Sequence, residues 1–349
     1  MSVNVCIVGY GGMGRHHRRR ITSETGLSVT GLYDINPEKT APSRSDKLKV
    51  YGSFDEVISA PEIDLVLIST PNNFHKDLAI RAMEAGKHII SEKPVSMNSA
   101  ELEQMIAVSK RTGSVFSVHQ NRRWDKDYCI VKKVIGDGLI GTPFYIESRV
   151  QGSNGVPGDW RCVKEAGGGM LLDWGVHLID QMLQLVKSPV TLVFAHLLSI
   201  RFKDVDDNFK VLLRFENGLS ALVEVDTYCL EPLPRWHVSG DAGTLVVSDW
   251  DCNGTVTRVK ESSMTWEPGI VYTAAGPTRT MAPRPIESIE KLPLPQLESD
   301  EKDYYRNIAA VIDGKQALLV KPEECLRVMN VIDAIFKSSE TAKSVSCCI

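Results

Sequence analysis

The chain has 349 residues, of which 43% are hydrophobic and 24% charged, with a formal net charge of −4. That length exceeds what one core usually fills, so two domains are the default for an ordinary globular composition. The mild negative charge offers no field to draw nucleic acid or an anionic membrane, and no apolar run approaches the ~18 residues of a membrane span. The sequence opens directly into a strand pattern at Val3, with no secretory leader evident. Its eight cysteines are scattered without a C-x-x-C pair, so they predict reduced thiols in a cytoplasmic setting and no zinc knot.

Val3–Val8 reads as a buried strand running into Gly9, Gly11 and Gly14, the spacing G-x-G-x-x-G. In that spacing the first glycine makes a tight turn, the second lets a diphosphate lie against bare backbone, and the third allows close helix–strand packing. A helix beginning there points free N–H groups and its positive end at the same place. A second strand, Leu27–Tyr33, ends in Asp34, at the separation expected of an acid that accepts hydrogen bonds from a ribose 2′-hydroxyl and repels a 2′-phosphate. NAD is therefore favoured. Lys39 and Arg44 leave NADP open, and Asp34 could instead only start the turn before Pro37.

Lys49–Tyr51 with Phe54 forms a third strand pattern, and Ile63–Thr70 a fourth, stopped by Pro71 with Asn72, Asn73 and His75 beyond it. His75 either meets a cofactor or caps the helix expected over Lys76–Ala85. His88–Ser91 is the next strand and delivers Glu92, Lys93 and Pro94 to the carboxyl edge of the sheet, where ligands of open α/β sheets bind. The proline restricts Lys93 to extended geometry. A plain surface lysine is the bland alternative. Helix Ser99–Thr112 and strand Val115–Gln120 complete a doubly wound sheet of six parallel strands.

Past a helix near Asp127–Asp137 the pattern changes to strands without helices between them: Phe144–Val150, Val190–Ile200, Phe209–Phe215 and Leu219–Thr227 joined by Asn217-Gly218, then Trp236–Ser239, Thr244–Ser248 and Thr255–Lys260. They predict a large, mostly antiparallel open sheet in an α+β domain. Helices Asp300–Asp313 and Pro322–Lys343 would cover one face, leaving the other for a partner subunit. The proline-rich stretch 268–295 reads as an irregular excursion. The expected division is residues 1–122 and 123–349, with helix 322–343 packing back on the interdomain region.

Three glycines, Gly167–Gly169, precede a segment with Asp173, His177 and Asp180 at i, i+4 and i+7 among apolar neighbours. Such a stripe suggests a site reached closely from outside. Asp173 as a helix cap and His177 as a hydrogen-bonded core residue is the alternative. The pair lacks a third metal ligand, so no metal is expected.

Gly9–Gly14, Glu92-Lys93-Pro94, Asn121-Arg122-Arg123-Trp124, Trp160-Arg161 and Gly167–Asp180, in this order over nearly the whole length, resemble the glucose–fructose oxidoreductase / inositol dehydrogenase / MocA family of NAD(P)-dependent oxidoreductases. The resemblance implies a Rossmann domain followed by an α/β domain whose sheet serves as a dimer or tetramer surface. It puts the family's catalytic lysine on Lys93 and its aspartate and histidine on Asp173 and His177. Around the cofactor it implies Gly12 and Met13 beside the three glycines and Asp34, then Thr70, Pro71, Asn73 and His75, then Glu92, Lys93 and Asn121. Around the substrate it implies Arg122, Trp160 and Arg161 with the catalytic three. Trp124 departs from a frequent phenylalanine, and 262–298 has no counterpart. The expected reaction is hydride transfer between the nicotinamide and a secondary hydroxyl of a sugar or cyclitol, with His177 as base and Lys93 polarising the alcohol oxygen. The alternatives are glycoside cleavage through transient oxidation by retained NAD, and a non-catalytic ligand sensor.

Overall fold

The computed structural model describes residues 2–41, 48–263, 265 and 269–349; Arg44 lies outside them. The first lobe alternates strand and helix: β1 (Val3–Val8), α1 (Gly12–Arg20), β2 (Leu27–Tyr33), α2 (Pro37–Thr40), β3 (Lys49–Val50), α3 (Phe54–Ser59), β4 (Leu65–Ile68), α4 (His75–Glu84), β5 (His88–Ser91), α5 (Ser99–Thr112) and β6 (Phe116–Val118). The strands lie parallel in the order β3-β2-β1-β4-β5-β6. Their Val, Ile and Leu side chains are buried on both faces, as a sheet covered by helices on two sides requires. Chain order reverses between β1 and β4, so the crevice for a ligand opens at their carboxyl ends. Phe54 belongs to α3 rather than to a strand, because the Ser53 side chain caps that helix by accepting from the Glu56 N–H at 3.2 Å.

The second lobe starts with α6 (Lys126–Gly136) and β7 (Pro143–Gln151), then α7 (Val176–Leu185), β8 (Val190–Leu198), β9 (Asn208–Phe215), β10 (Ser220–Asp226), β11 (Trp236–Gly240), β12 (Gly243–Val247) and β13 (Gly254–Val259). After β14 (Val271–Thr273), β15 (Gly276–Thr278) and β16 (Ile289–Pro293) come α8 (Lys302–Ile312), α9 (Pro322–Thr341) and β17 (Val345–Ser346). Nine strands form one sheet in the order β16-β13-β12-β11-β7-β10-β9-β8-β17, antiparallel among the described residues except for β7 beside β10. The expected irregular excursion is corrected in part. Its end, β16, joins the sheet by pairing with β13 from Thr255–Pro293 to Val259–Ile289, and β14 and β15 form a small hairpin of their own.

Helices α7 and α9 lie on one face of the large sheet, against β10 and β8. The opposite face leaves Phe194 and Leu212, paired across β8 and β9, exposed. The chain then returns to the first lobe: α8 packs on β2, and α9 packs on α5 and β6 as well as on α7 and β8. No helix among the described residues is long and apolar enough to cross a membrane.

Candidate active site

The glycine turn behaves as its spacing dictates. Gly9 has φ +89° and sits so close to the β4 edge that a Cβ would stand 2.6 Å from the Ser69 carbonyl oxygen; at Gly14 a Cβ would stand 2.3 Å from the Gly9 carbonyl. Gly11 and Gly12 face open space instead, at the N-terminus of α1. The turn is therefore tight where the fold needs contact and vacant where a diphosphate would lie. Asp34 closes the opposite wall: its Oδ2 accepts from the Tyr10 N–H at 2.7 Å and lies 3.6 Å from the Lys39 ammonium. The arrangement fits a dinucleotide, with Met13 beside the turn and Thr70, Pro71 and the exposed Asn73 following β4 on the neighbouring edge.

Two expected cofactor residues have their polar atoms committed elsewhere. His75 is fully buried, with Nδ1 2.8 Å from the Pro94 carbonyl and Nε2 2.9 Å from the Thr70 carbonyl. It neither caps α4, which carries no side-chain cap, nor reaches the crevice; it ties the loops after β4 and β5 together. Glu92 turns into the core. Its Oε1 takes hydrogen bonds from His17 Nε2 and His119 Nδ1, both at 2.8 Å, and its Oε2 accepts from the Lys93 N–H at 3.1 Å. Tyr305 of α8 reaches His17 with its hydroxyl at 2.8 Å, and Glu301 lies 3.3 Å from His119 Nε2. Burial works against charge here, but the Glu92 and Glu301 carboxylates outweigh it and lift His119 to about 9, whereas burial and its charged neighbour His119 push His17 down to about 4. Sequence spacing gives no sign of this cluster, because its members come from α1, β5, β6 and the start of α8.

With Glu92 anchored, Lys93 projects from β5 toward the second lobe. Its Nζ donates to the main-chain carbonyl of Asp173 at 2.9 Å and to Asp173 Oδ1 at 3.0 Å. Arg161 Nε donates to Asp173 Oδ2 at 3.2 Å, and its guanidinium stacks on Trp160, 4.6 Å from the ring centre. Burial would raise the Asp173 pKa, but these two cations outweigh it and hold the carboxyl below its usual range. The residue is thus a carboxylate shared between a lysine and an arginine.

The segment carrying Asp173 is not regular α-helix. Leu171–Gly175 form a wide π turn leading into α7, a form frequent at functional sites. The expected single stripe therefore divides. Asp173 meets Lys93; His177 is 4% exposed, its Nδ1 buried without a partner among the described residues; Asp180 belongs to a separate ion pair, 2.6 Å from Arg123. Burial, together with the nearby charges of Lys93 and Arg122, pushes the His177 pKa well below its ordinary value, so the ring is neutral at physiological pH.

The three glycines ahead of this turn admit the chain itself. A Cβ on Gly167 would stand 2.8 Å from both Asn72 Cβ and Met97 Sδ of the first lobe, and one on Gly169 would stand 2.3 Å from Asp206 Oδ1. The Asn72 amide donates to the Gly167 carbonyl at 2.8 Å, a second bond between lobes that sequence reading misses. Asp206 accepts from the Leu171 N–H at 2.7 Å and so holds the start of the turn.

A cleft of about 660 Å³ opens from Asp173 along one end of the large sheet, lined by Arg122, Arg161, Trp174, the 150–157 loop, residues 225–227 and Trp250. Asn121 begins the short helical turn that presents Arg122. Arg122 lies 4.0 Å from the Trp174 ring centre and is paired with Asp125 at 2.9 Å.

The description "Oxidoreductase family, NAD-binding Rossmann fold" matches residues 3–120, and "GFO/IDH/MocA C-terminal domain" matches residues 128–246. A crystal structure of an NAD-binding protein from Listeria innocua is 43% identical, covers 99% of each chain and superposes with a TM-score of 0.93. The chain belongs to the GFO/IDH/MocA oxidoreductase family. It is also 26% identical to the NADP-dependent scyllo-inositol 2-dehydrogenase IolW of Bacillus subtilis, over 99% of this chain and 96% of that one. A myo-inositol 2-dehydrogenase of Thermotoga maritima is 26% identical over 64% of this chain and 68% of its own. This membership makes the protein an NAD(P)-dependent oxidoreductase, with the glycine turn and Asp34 belonging to its NAD-binding Rossmann lobe.

Proposed function

We propose that the protein oxidises a secondary hydroxyl of a sugar, sugar derivative or cyclitol at the junction of its two lobes. The observation that carries this is the meeting of the Lys93 ammonium with Asp173 beside a neutral histidine whose Nδ1 has no partner among the described residues. A bound nicotinamide dinucleotide would supply the hydride acceptor. Gly9, Gly11 and Gly14 with the N-terminus of α1 would hold its diphosphate, and Asp34 a ribose hydroxyl.

The protein residues do the proton chemistry. His177, kept neutral by burial and by the cations near it, takes the hydroxyl proton. Lys93 donates a hydrogen bond to the same oxygen and stabilises the negative charge that grows there. Asp173 orients Lys93 and balances its charge, and Arg161 fixes Asp173 from the other side. Arg122 and Arg161 line the substrate side of the cleft, and Trp160 backs Arg161 by stacking on its guanidinium. In this reading the open face of the large sheet, with Phe194 and Leu212, is covered by another copy of the chain, and the eight free cysteines suit a cytoplasmic setting.

The test is reduction of NAD and NADP by the purified full chain against a panel of inositols, free sugars and glycosides, with Lys93→Met as control. Turnover of a polyol that disappears in the variant supports the reading. A wild-type protein that binds dinucleotide and oxidises none of the panel overturns it.

A further inference from the structure

The cleft continues well past the groups that handle the proton. From Asp173 and Trp174 it runs between the ends of β7 and β10 to Trp250, in the turn joining β12 to β13. Trp250 is 48% exposed, although an indole is among the side chains that gain most from burial. The turn that carries it is pinned. Asp249 accepts from the Asn253 N–H at 3.0 Å and from the Asn253 amide at 2.8 Å, the Ser248 N–H donates to the Asn253 carbonyl at 2.7 Å, and Cys252 takes φ +62° to close the turn. The indole lies 4.9 Å from the guanidinium of the buried Arg235 and 5.7 Å from that of Arg122, and its ring centre is 5.9 Å from Trp174. Arg235 is itself fixed 3.1 Å from Asp127.

We propose that this end of the cleft is a second subsite, and that the substrate is a glycoside whose oxidised ring lies at Lys93 and Asp173 while its substituent ring lies against Trp250. The proposal rests on the oxidoreductase reading above. A rigid, exposed indole presents the flat apolar surface on which the C–H face of a sugar ring packs, and ordering it beforehand lowers the entropy lost on binding. The surrounding wall supplies polar groups for hydroxyls: Ser153 and Asn154 are exposed on the loop after β7, and Asp226 stands at the end of β10. Charges along the cleft are balanced, Arg122 by Asp125 and Arg161 by Asp159 and Asp173, which suits a neutral carbohydrate.

The test compares kcat/KM of the full chain, with NAD and with NADP, on free hexoses and inositols and on maltose, cellobiose and lactose. Wild-type protein should favour a disaccharide over its free parent by about tenfold or more. Trp250→Ala should lower kcat/KM on the disaccharide by about tenfold, chiefly through KM, and lower it far less on the free ring; Trp250→Phe should restore most of the loss. A wild-type preference for free rings, equal losses on both, or a change confined to oligomeric state by light scattering overturns the subsite. If no carbohydrate is oxidised, the proposed sugar or cyclitol oxidation fails by itself, and tryptophan fluorescence decides the subsite. Saturable quenching by the disaccharides that is lost in Trp250→Phe supports it, and its absence in wild-type protein overturns it.

Discussion

Lys93 and Asp173 stand eighty positions apart in the chain, yet the lysine Nζ bonds both the carboxylate and the main-chain carbonyl of the aspartate, at 3.0 and 2.9 Å. One group comes from the edge of the nucleotide-binding sheet and the other from a π turn resting on the second sheet. In the reading proposed above, their meeting is the reaction centre.

Lys93→Met removes the donor to the substrate oxygen and keeps the apolar stem. kcat should fall roughly 10²–10⁴-fold, while NAD affinity, measured by calorimetry, stays near that of the wild type. Loss of NAD binding with no separate loss of turnover would remove Lys93 from the chemistry.

His177 titrates well below the ordinary imidazole range because it is buried and faces Lys93 and Arg122. Between its folded and unfolded pKa the unfolded chain binds the extra proton. Its contribution to stability is therefore full above about pH 6.5 and declines as pH falls below that value. The neutral base also persists at mildly acid pH, so kcat/KM measured from pH 5 to 8 should show no acid limb centred on about 6.5.

His119 acts in the opposite sense. Its folded pKa is raised to about 9, so its pairing with Glu92 stabilises the protein fully below about pH 6.5 and is lost as pH rises through about 9. Thermal unfolding should show a fall in Tm across that window. His119→Asn should abolish the slope and cost roughly 3–5 kcal/mol near neutrality, since it leaves Glu92 short of a buried partner. An unchanged slope would mean that another group titrates.

Gly11 faces open space, so Gly11→Ala should leave stability within about 0.5 kcal/mol while weakening NAD binding, because the added methyl occupies the room left for the diphosphate. Gly14→Ala should damage both, since its Cβ meets the Gly9 carbonyl. Denaturation curves beside dinucleotide titrations separate the two outcomes.

Asp34→Ser removes the carboxylate that Lys39 now faces and should shift preference toward NADP by about tenfold, roughly 1.4 kcal/mol. Unchanged NAD and NADP affinities would make Asp34 only a clamp for the Tyr10 N–H.

Much of this was legible in the order of residues. The glycine spacing fixes the first turn because each glycine answers a local steric demand, and the period of the apolar runs separates a parallel sheet covered on both sides from an antiparallel one open on one side. Helix α5, Ser99–Thr112, is bounded as its Asn98 cap and Gly113 stop dictate. What sequence could not give is direction. Glu92 and His75 lie where a cofactor would pass, yet their side chains are claimed by histidines and carbonyls from distant elements. A regular helical repeat puts Asp173, His177 and Asp180 together, whereas the π turn and Arg123 draw them apart. Trp250 carries no local signal, because its setting is built by Arg122 and Arg235 from other strands and turns.

Helix α9 bears on the nucleotide sheet through α5 and β6 and on the large sheet through α7 and β8. One helix packed on both lobes ties the placement of each to the other. The ammonium and carboxylate are consequently in register before anything enters, so the energetic cost of aligning the two lobes is settled at the moment of folding.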